Sequence, residues 1–131
     1  MRITKENIHE FIDETIMNCD NYCVTHIDYI PDHITHLYCH YNKLTSLPKL
    51  PESLEHLYCS WNRLTSLPKL PNGLISLYCW HNQLTEISIL PEGLKKINFV
   101  DNNLPYDITI DNFKEHNQLI KRKEILSKIC V

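Results

Sequence analysis

The chain reads PDHITHLYCHYNKLTSLPKL at 31–50, PESLEHLYCSWNRLTSLPKL at 51–70 and PNGLISLYCWHNQLTEISIL at 71–90. A fourth row, PEGLKKINFVDNNLPYDITI at 91–110, keeps the pattern for half its length. The rows align without a gap. Pro31, Pro51, Pro71 and Pro91 form one column, and Ile34, Leu54, Leu74 and Leu94 the next. Leu37, Leu57, Leu77 and Ile97 follow, then Asn42, Asn62, Asn82 and Asn102, then Leu44, Leu64, Leu84 and Leu104. A fixed period of this length marks stacked repeats, because one row cannot bury its apolar face alone.

The row condenses to LxxLxCxxNxLTxLPxLPxx. This resembles the leucine-rich repeat family, whose core is LxxLxLxxNxL. The LPxLPxxL stretch and the twenty-residue length are similar to the short repeats of bacterial effector proteins. The YC variant is similar to repeats predicted in large viruses of amoebae. The resemblance covers residues 19–104. It implies a leucine-rich repeat solenoid with short parallel β-strands on its concave face and an extended or polyproline-like convex side. The half-row CDNYCVTHIDYI at 19–30 reads as a degenerate first repeat. Cys19 takes the column of Cys39, and Val24, Ile27 and Ile30 take those of Leu44, Leu47 and Leu50. Tyr22 replaces the asparagine, with Asn21 one place off.

The physics of the row agrees. A strand near His36–Tyr38 points Leu37 and Cys39 inward and Tyr38 outward, because strand side chains alternate. Equivalent strands stack in parallel, roughly 4.8 Å apart. Leu44, Leu47 and Leu50 close the core from the other side. Pro48 and Pro51 fix φ and remove two N–H donors, so the return segment is extended rather than helical. The asparagine column is expected to satisfy backbone groups at the bend after the strand. Cys39, Cys59 and Cys79 sit where the family pattern has leucine, and Phe99 fills the same slot in the fourth row. A free cysteine behaves as a small hydrophobe, which favours a core role over metal or redox chemistry.

The ends differ from the repeats. Residues 5–17 are expected to form a helix with Thr4 at its N-cap, since Ile8, Phe11, Ile12 and Ile16 share one helical face and Glu6, Glu10, Asp13 and Glu14 lie opposite. Residues 111–129 are expected to form a second helix capped by Asp111. Its apolar residues split, with Leu119, Leu126 and Ile129 on one side and Phe113 and Ile120 on another. Helical caps at both ends follow, with a single domain over 1–131: an N-terminal cap at 1–18, repeats at 19–104 and a C-terminal cap at 105–131. One face of the second helix can alternatively meet another copy, making a homo-oligomer. The basic run Lys121–Lys123 reads as a solvated face.

Composition bounds the function. With 131 residues, 43% hydrophobic and 22% charged, the chain is long enough for one folded core. A net charge of −3 argues against nucleic acid as a partner, since such binders are usually basic. No apolar run approaches the roughly 18 residues needed to span a membrane. The opening MRITKENIHEFIDETIM lacks the apolar core of a secretory signal. Six cysteines (Cys19, Cys23, Cys39, Cys59, Cys79 and Cys130) are therefore expected as free thiols in a reducing, cytoplasmic compartment, or in the host cytosol for an intracellular pathogen or virus.

Fold-building positions cannot vary freely, so information must sit on the exposed strand positions. These are His36, Tyr38, His40 and Tyr41; His56, Tyr58, Ser60 and Trp61; and Ser76, Tyr78, Trp80 and His81, with Lys96, Asn98 and Asp101 in the fourth row. Both tryptophans, four of seven tyrosines and four of eight histidines fall here. Tyrosine and tryptophan dominate interface hot spots, because they bury large rigid areas and keep a polar tip. The identical recurrence of Tyr38, Tyr58 and Tyr78 also fits a ladder that stabilises the sheet. Trp61, Trp80, His40 and His81 vary between rows and are the better candidates for specific contact. The histidines also suggest pH response or metal chelation, although exposed strand histidines are usually plain surface residues. No nucleophile, base and orienting acid assemble by spacing, so a non-enzyme without a cofactor is expected. The effector resemblance implies a ubiquitin-ligase domain in some relatives, but the residues after Leu104 are too few to form one. The expected function is a protein-binding module using the aromatic concave face, or alternatively a self-associating structural protein.

Overall fold

A computed structural model describes residues 1–129; the expected free thiol at Cys130 lies outside them. The chain winds into a parallel-strand solenoid of about five turns with a C-terminal helix. Its main sheet has six strands in the order β2 (Ile12–Asp13), β3 (Ile16–Asn18), β5 (His36–Tyr38), β6 (His56–Tyr58), β7 (Ser76–Tyr78) and β8 (Lys96–Asn98). From β3 onward every pairing is parallel and in register. Met17, Leu37, Leu57, Leu77 and Ile97 form one continuous row.

The inward column is closed to solvent: Met17, Leu37, Leu57 and Leu77 are all fully buried. The cysteines stack beside them. Cys19, Cys39, Cys59 and Cys79 are unpaired thiols with no exposed surface. Burial pushes the Cys19 thiol up to about 12, and raises Cys39 as well. These two are core side chains held in the protonated form. Behind them Ile34, Leu54 and Leu74 meet Leu44, Leu64 and Leu84 across a single apolar core. Each coil turns at its first proline, where the Ile34, Leu54, Leu74 and Leu94 N–H groups donate to the carbonyls of Pro31, Pro51, Pro71 and Pro91. No helix or strand occupies 43–55 or 63–75, the convex returns of the first two rows.

The asparagine column fastens each coil to the one before. Asn62 Nδ2 donates to the carbonyls of Cys39 (2.9 Å) and Cys59 (3.1 Å), and its Oδ1 accepts the Leu44 N–H at 3.0 Å. Asn42, Asn82 and Asn102 repeat this arrangement. It also explains Tyr22. An asparagine in the first coil has no earlier coil to bind, so Tyr22 stands there and donates its own N–H to Asn42.

The N-terminal cap is not the helix expected over 5–17. Residues Ile8–Phe11 make one short 3₁₀ turn, and Ile12–Asp13 pairs antiparallel with Ile16–Asn18 through a turn in which Glu14 has φ 55°. The first repeat thus begins at Ile16, with Met17 in the Leu37 column, rather than at Cys19. A helix satisfies its own backbone and offers an open sheet edge no hydrogen-bond partners, whereas a hairpin supplies N–H and C=O groups to it. On the other side of the same coil, β1 (Arg2–Ile3) pairs with β4 (His26–Ile27), burying Ile3. Thr4 does open a turn, its carbonyl accepting the Ile8 N–H at 3.0 Å.

At the other end α1 (Phe113–Ile129) forms as expected, two residues later than the sequence limit. Asn112, rather than Asp111, organises its start: Oδ1 accepts the Thr109 N–H at 2.8 Å and Nδ2 donates to the Asp107 carbonyl at 2.7 Å. Phe113 enters the core. Asn117 bonds both backbone groups of Leu90, accepting its N–H at 2.7 Å and donating to its carbonyl at 2.8 Å. Its side-chain amide thereby ties the helix to the return segment of the third row. The helix beyond Lys121 is exposed throughout, including Ile125, Leu126 and Ile129.

Asn62→Ala is expected to lower the unfolding free energy by about 2–4 kcal/mol, since it strands buried backbone groups on two coils. The check is a urea titration, in which the midpoint falls with the slope unchanged.

Candidate functional site

The candidate residues lie on the sheet and on the bend that follows it. Each inward pair (Leu57 and Cys59, for example) forces the residues between and around it outward. His36 stacks on His56 with ring centroids 4.4 Å apart, and Tyr38 stacks on Tyr58 at 4.8 Å. Tyr58 meets Tyr78 tilted at 5.2 Å. All five rings are half-buried rather than freely exposed. The tyrosines form the sheet-stabilising ladder that their repetition suggested.

Past the strand a second ladder runs up the solenoid, and the sequence analysis did not foresee it. Asp20 Oδ1 accepts the His40 N–H at 2.6 Å, His40 Nδ1 accepts the Ser60 N–H at 2.9 Å, and Ser60 Oγ accepts the Trp80 N–H at 3.1 Å. Trp80 has only a donor to offer, so the ladder ends there. The next amide, Val100 N–H, turns instead to Asn98 Oδ1 at 3.0 Å. At the opposite end Asn18 Oδ1 takes the Asp20 N–H in the same way. Asn18 and Asn98 stand in the tyrosine column of the terminal coils, where they cap their own bends. The signal lay in the column Asp20, His40, Ser60, whose common property is a side-chain acceptor. His40 therefore has a fold role. Ser60 and Ser76, expected on the open face, are buried.

The next column is the exposed one. Asn21, Tyr41, Trp61, His81 and Asp101 all have φ between 56° and 59°. This left-handed turn costs roughly 1–2 kcal/mol for a residue with a Cβ, and asparagine and aspartate tolerate it best. The terminal coils use those two types. The three central coils carry large rings instead. Tyr41 stacks on Trp61 at 5.8 Å, and Trp61 stacks on His81 at 3.6 Å with planes only 12° apart. Trp80 meets Trp61 edge-on at 5.6 Å. Tyr41 is 54% exposed and Trp61 37%. His81 is also exposed. The rings are thus kept in an unfavourable backbone position, stacked and open to solvent.

The solenoid with its YC rows and asparagine ladder matches known proteins. The family pattern described as Leucine Rich Repeat covers residues 53–74. The chain carries leucine-rich repeats. Among solved structures it is similar to YopM from Yersinia enterocolitica WA-314, with 31% sequence identity over 66% of this chain and a TM-score of 0.66. It is also similar to a Shigella effector leucine-rich repeat domain, with 26% identity over 82% of this chain and a TM-score of 0.55. The repeat protein spans 19% of the YopM chain and 57% of the Shigella domain. No curated protein matches it.

Among the described residues, no three or more His, Cys, Asp or Glu side chains gather as a metal site, and no helix is long and apolar enough to cross a membrane. A separate hollow of about 410 Å³ opens on the convex side between Leu67, Ile87, Leu104 and the helix residue Ile120. His116 sits at its edge, bonded to the Tyr106 hydroxyl at 2.6 Å and to the Ser88 carbonyl at 3.1 Å.

The His40 geometry sets a pH dependence. Its Nδ1 accepts a backbone N–H and must stay unprotonated. Burial lowers the pKa from the ordinary 6.5, against the opposing pull of Asp20. Burial lowers His56 too, assisted by His36. A histidine whose folded pKa is depressed gives stability that is complete above its unfolded value and is lost as pH falls below about 6.5. The melting temperature is expected to drop between pH 7 and pH 5. His40→Ser, which keeps an acceptor as Ser60 does, is expected to shrink that drop while His40→Leu destabilises at every pH.

Proposed function

We propose that this leucine-rich repeat protein is a non-catalytic interaction module that grips a protein partner on its concave, aromatic side. The observation that carries the reading is the Tyr41–Trp61–His81 stack with Trp80 against it, large rings held rigid and open to solvent. Rigid aromatic side chains lose little conformational freedom on binding and bury much area, the properties of interface hot spots. The half-buried tier of His36, Tyr38, His56, Tyr58 and Tyr78 forms the floor beneath, and His40 braces it. The effector description of the similar Shigella structure favours an interaction role. The four sealed, unpaired thiols fit work in a reducing cytoplasm.

A second reading, self-association through α1, draws on the exposed Leu119, Ile125, Leu126 and Ile129. A mass that rises with concentration in light scattering, and falls back on Leu126→Glu, would favour it.

The direct test of the first reading combines Trp61→Ala with Trp80→Ala. The double variant is expected to keep its circular dichroism spectrum and to lose the proteins that wild type captures from native cytosol. An unchanged set of captured proteins counts against the concave side as the docking surface.

A further inference from the structure

The exposed rings do not stand alone on the bend. Two positions after each comes another outward side chain, because the intervening asparagine points in. Beside Tyr41 stands Lys43, beside Trp61 stands Arg63 and beside His81 stands Gln83, all exposed. Each of the three is held by a backbone bond to the preceding coil: Lys43 N–H to the Val24 carbonyl, Arg63 N–H to Leu44 and Gln83 N–H to Leu64. The next outward column is Thr45, Thr65 and Thr85, again exposed. Across these three coils the rim thus carries two cations, an amide and three hydroxyls, and no carboxylate before Glu86. The nearest acids on the ring column itself lie past its end, at Asp101; Asp20, one column inward, is occupied by the His40 N–H.

The rings add to this polarity. Trp61 lies between Tyr41 and His81, so both faces of the central ring are covered and its positive edge is what remains to meet a ligand. A surface of ring edges, guanidinium, ammonium and amide groups favours acceptors and negative charge. Nucleic-acid bases need free ring faces to stack on, and the central ring, Trp61, offers none. Neutral proline-rich segments also dock on aromatic grooves, but give the cations nothing to meet.

Resting on the reading of the chain as a protein-binding module, we propose that the rim built by Tyr41, Trp61 and His81 with Lys43 and Arg63 docks an acidic, extended segment of the partner protein. The segment runs along the solenoid axis, crossing coils roughly 5 Å apart, so that successive carboxylates meet Lys43 and Arg63 while its backbone lies over the ring edges. Specificity then resides on the rim as much as on the sheet.

The probe is a fluorescein-labelled decaglutamate peptide, followed by anisotropy in low salt and at physiological ionic strength. Wild type is expected to bind it, more weakly as salt rises, and Lys43→Glu combined with Arg63→Glu is expected to weaken binding at least tenfold. Neither side chain is buried. Lys43→Gln with Arg63→Gln supplies the same comparison, at a smaller loss, if the reversed variant melts early. Absence of peptide binding, equal binding by the charge variants, or tighter binding of a labelled ten-residue oligothymidylate would overturn the inference. Tryptophan variants that lose their captured proteins while charge reversal leaves that capture untouched would also overturn it, yet leave the module reading standing.

Discussion

Everything in this solenoid depends on how the backbone is satisfied at the bend after each strand. The chain must leave the sheet, turn back and still leave no polar group stranded beside an apolar core. A left-handed residue makes the turn, and the asparagine after it swings inward to bond two carbonyls and an N–H on neighbouring coils. The two features are halves of one device. Because position 62 must point in, positions 61 and 63 must point out. The exposed rings and their flanking cations are consequences of where the asparagine has to go.

That device also stops cleanly at each end. The first coil has no predecessor, so Tyr22 replaces asparagine there. At the other end Trp80 offers no acceptor to the coil that follows, so Asn98 closes that bend itself. A hairpin at Ile12–Asn18 closes the first edge of the sheet, and the Asn117 amide ties the C-terminal helix to the return segment at Leu90. A parallel array needs such closure, since an unpaired edge invites association with other chains.

The repeat was legible in the sequence because its constraints recur every twenty residues. Leucine and cysteine inside, tyrosine outside and asparagine at the bend could be read column by column. The N-terminal cap was not legible. Ile8, Phe11, Ile12 and Ile16 suit one helical face, and the spacing carries no sign of the open sheet edge that calls for a hairpin. The acceptor ladder through Asp20, His40 and Ser60 was hidden because those three residues look unrelated until their backbone neighbours are known. Its discovery changes the meaning of His40, which variation between rows had marked as a contact residue. The left-handed column was likewise invisible, since tyrosine, tryptophan and histidine do not announce that conformation as glycine does. Once seen, it raises the interest of Tyr41, Trp61 and His81, which accept a backbone cost that Asn21 and Asp101 largely avoid.

The most direct measurement is hydrogen exchange at the side-chain amides of Asn42, Asn62 and Asn82, followed by NMR in the native protein. Ladder amides locked between coils should exchange only through the opening that also exposes the backbone amides of Cys39 and Cys59, and so share their protection. Side-chain amides that exchange at the rate of a free asparagine, while the strands stay protected, would contradict the account.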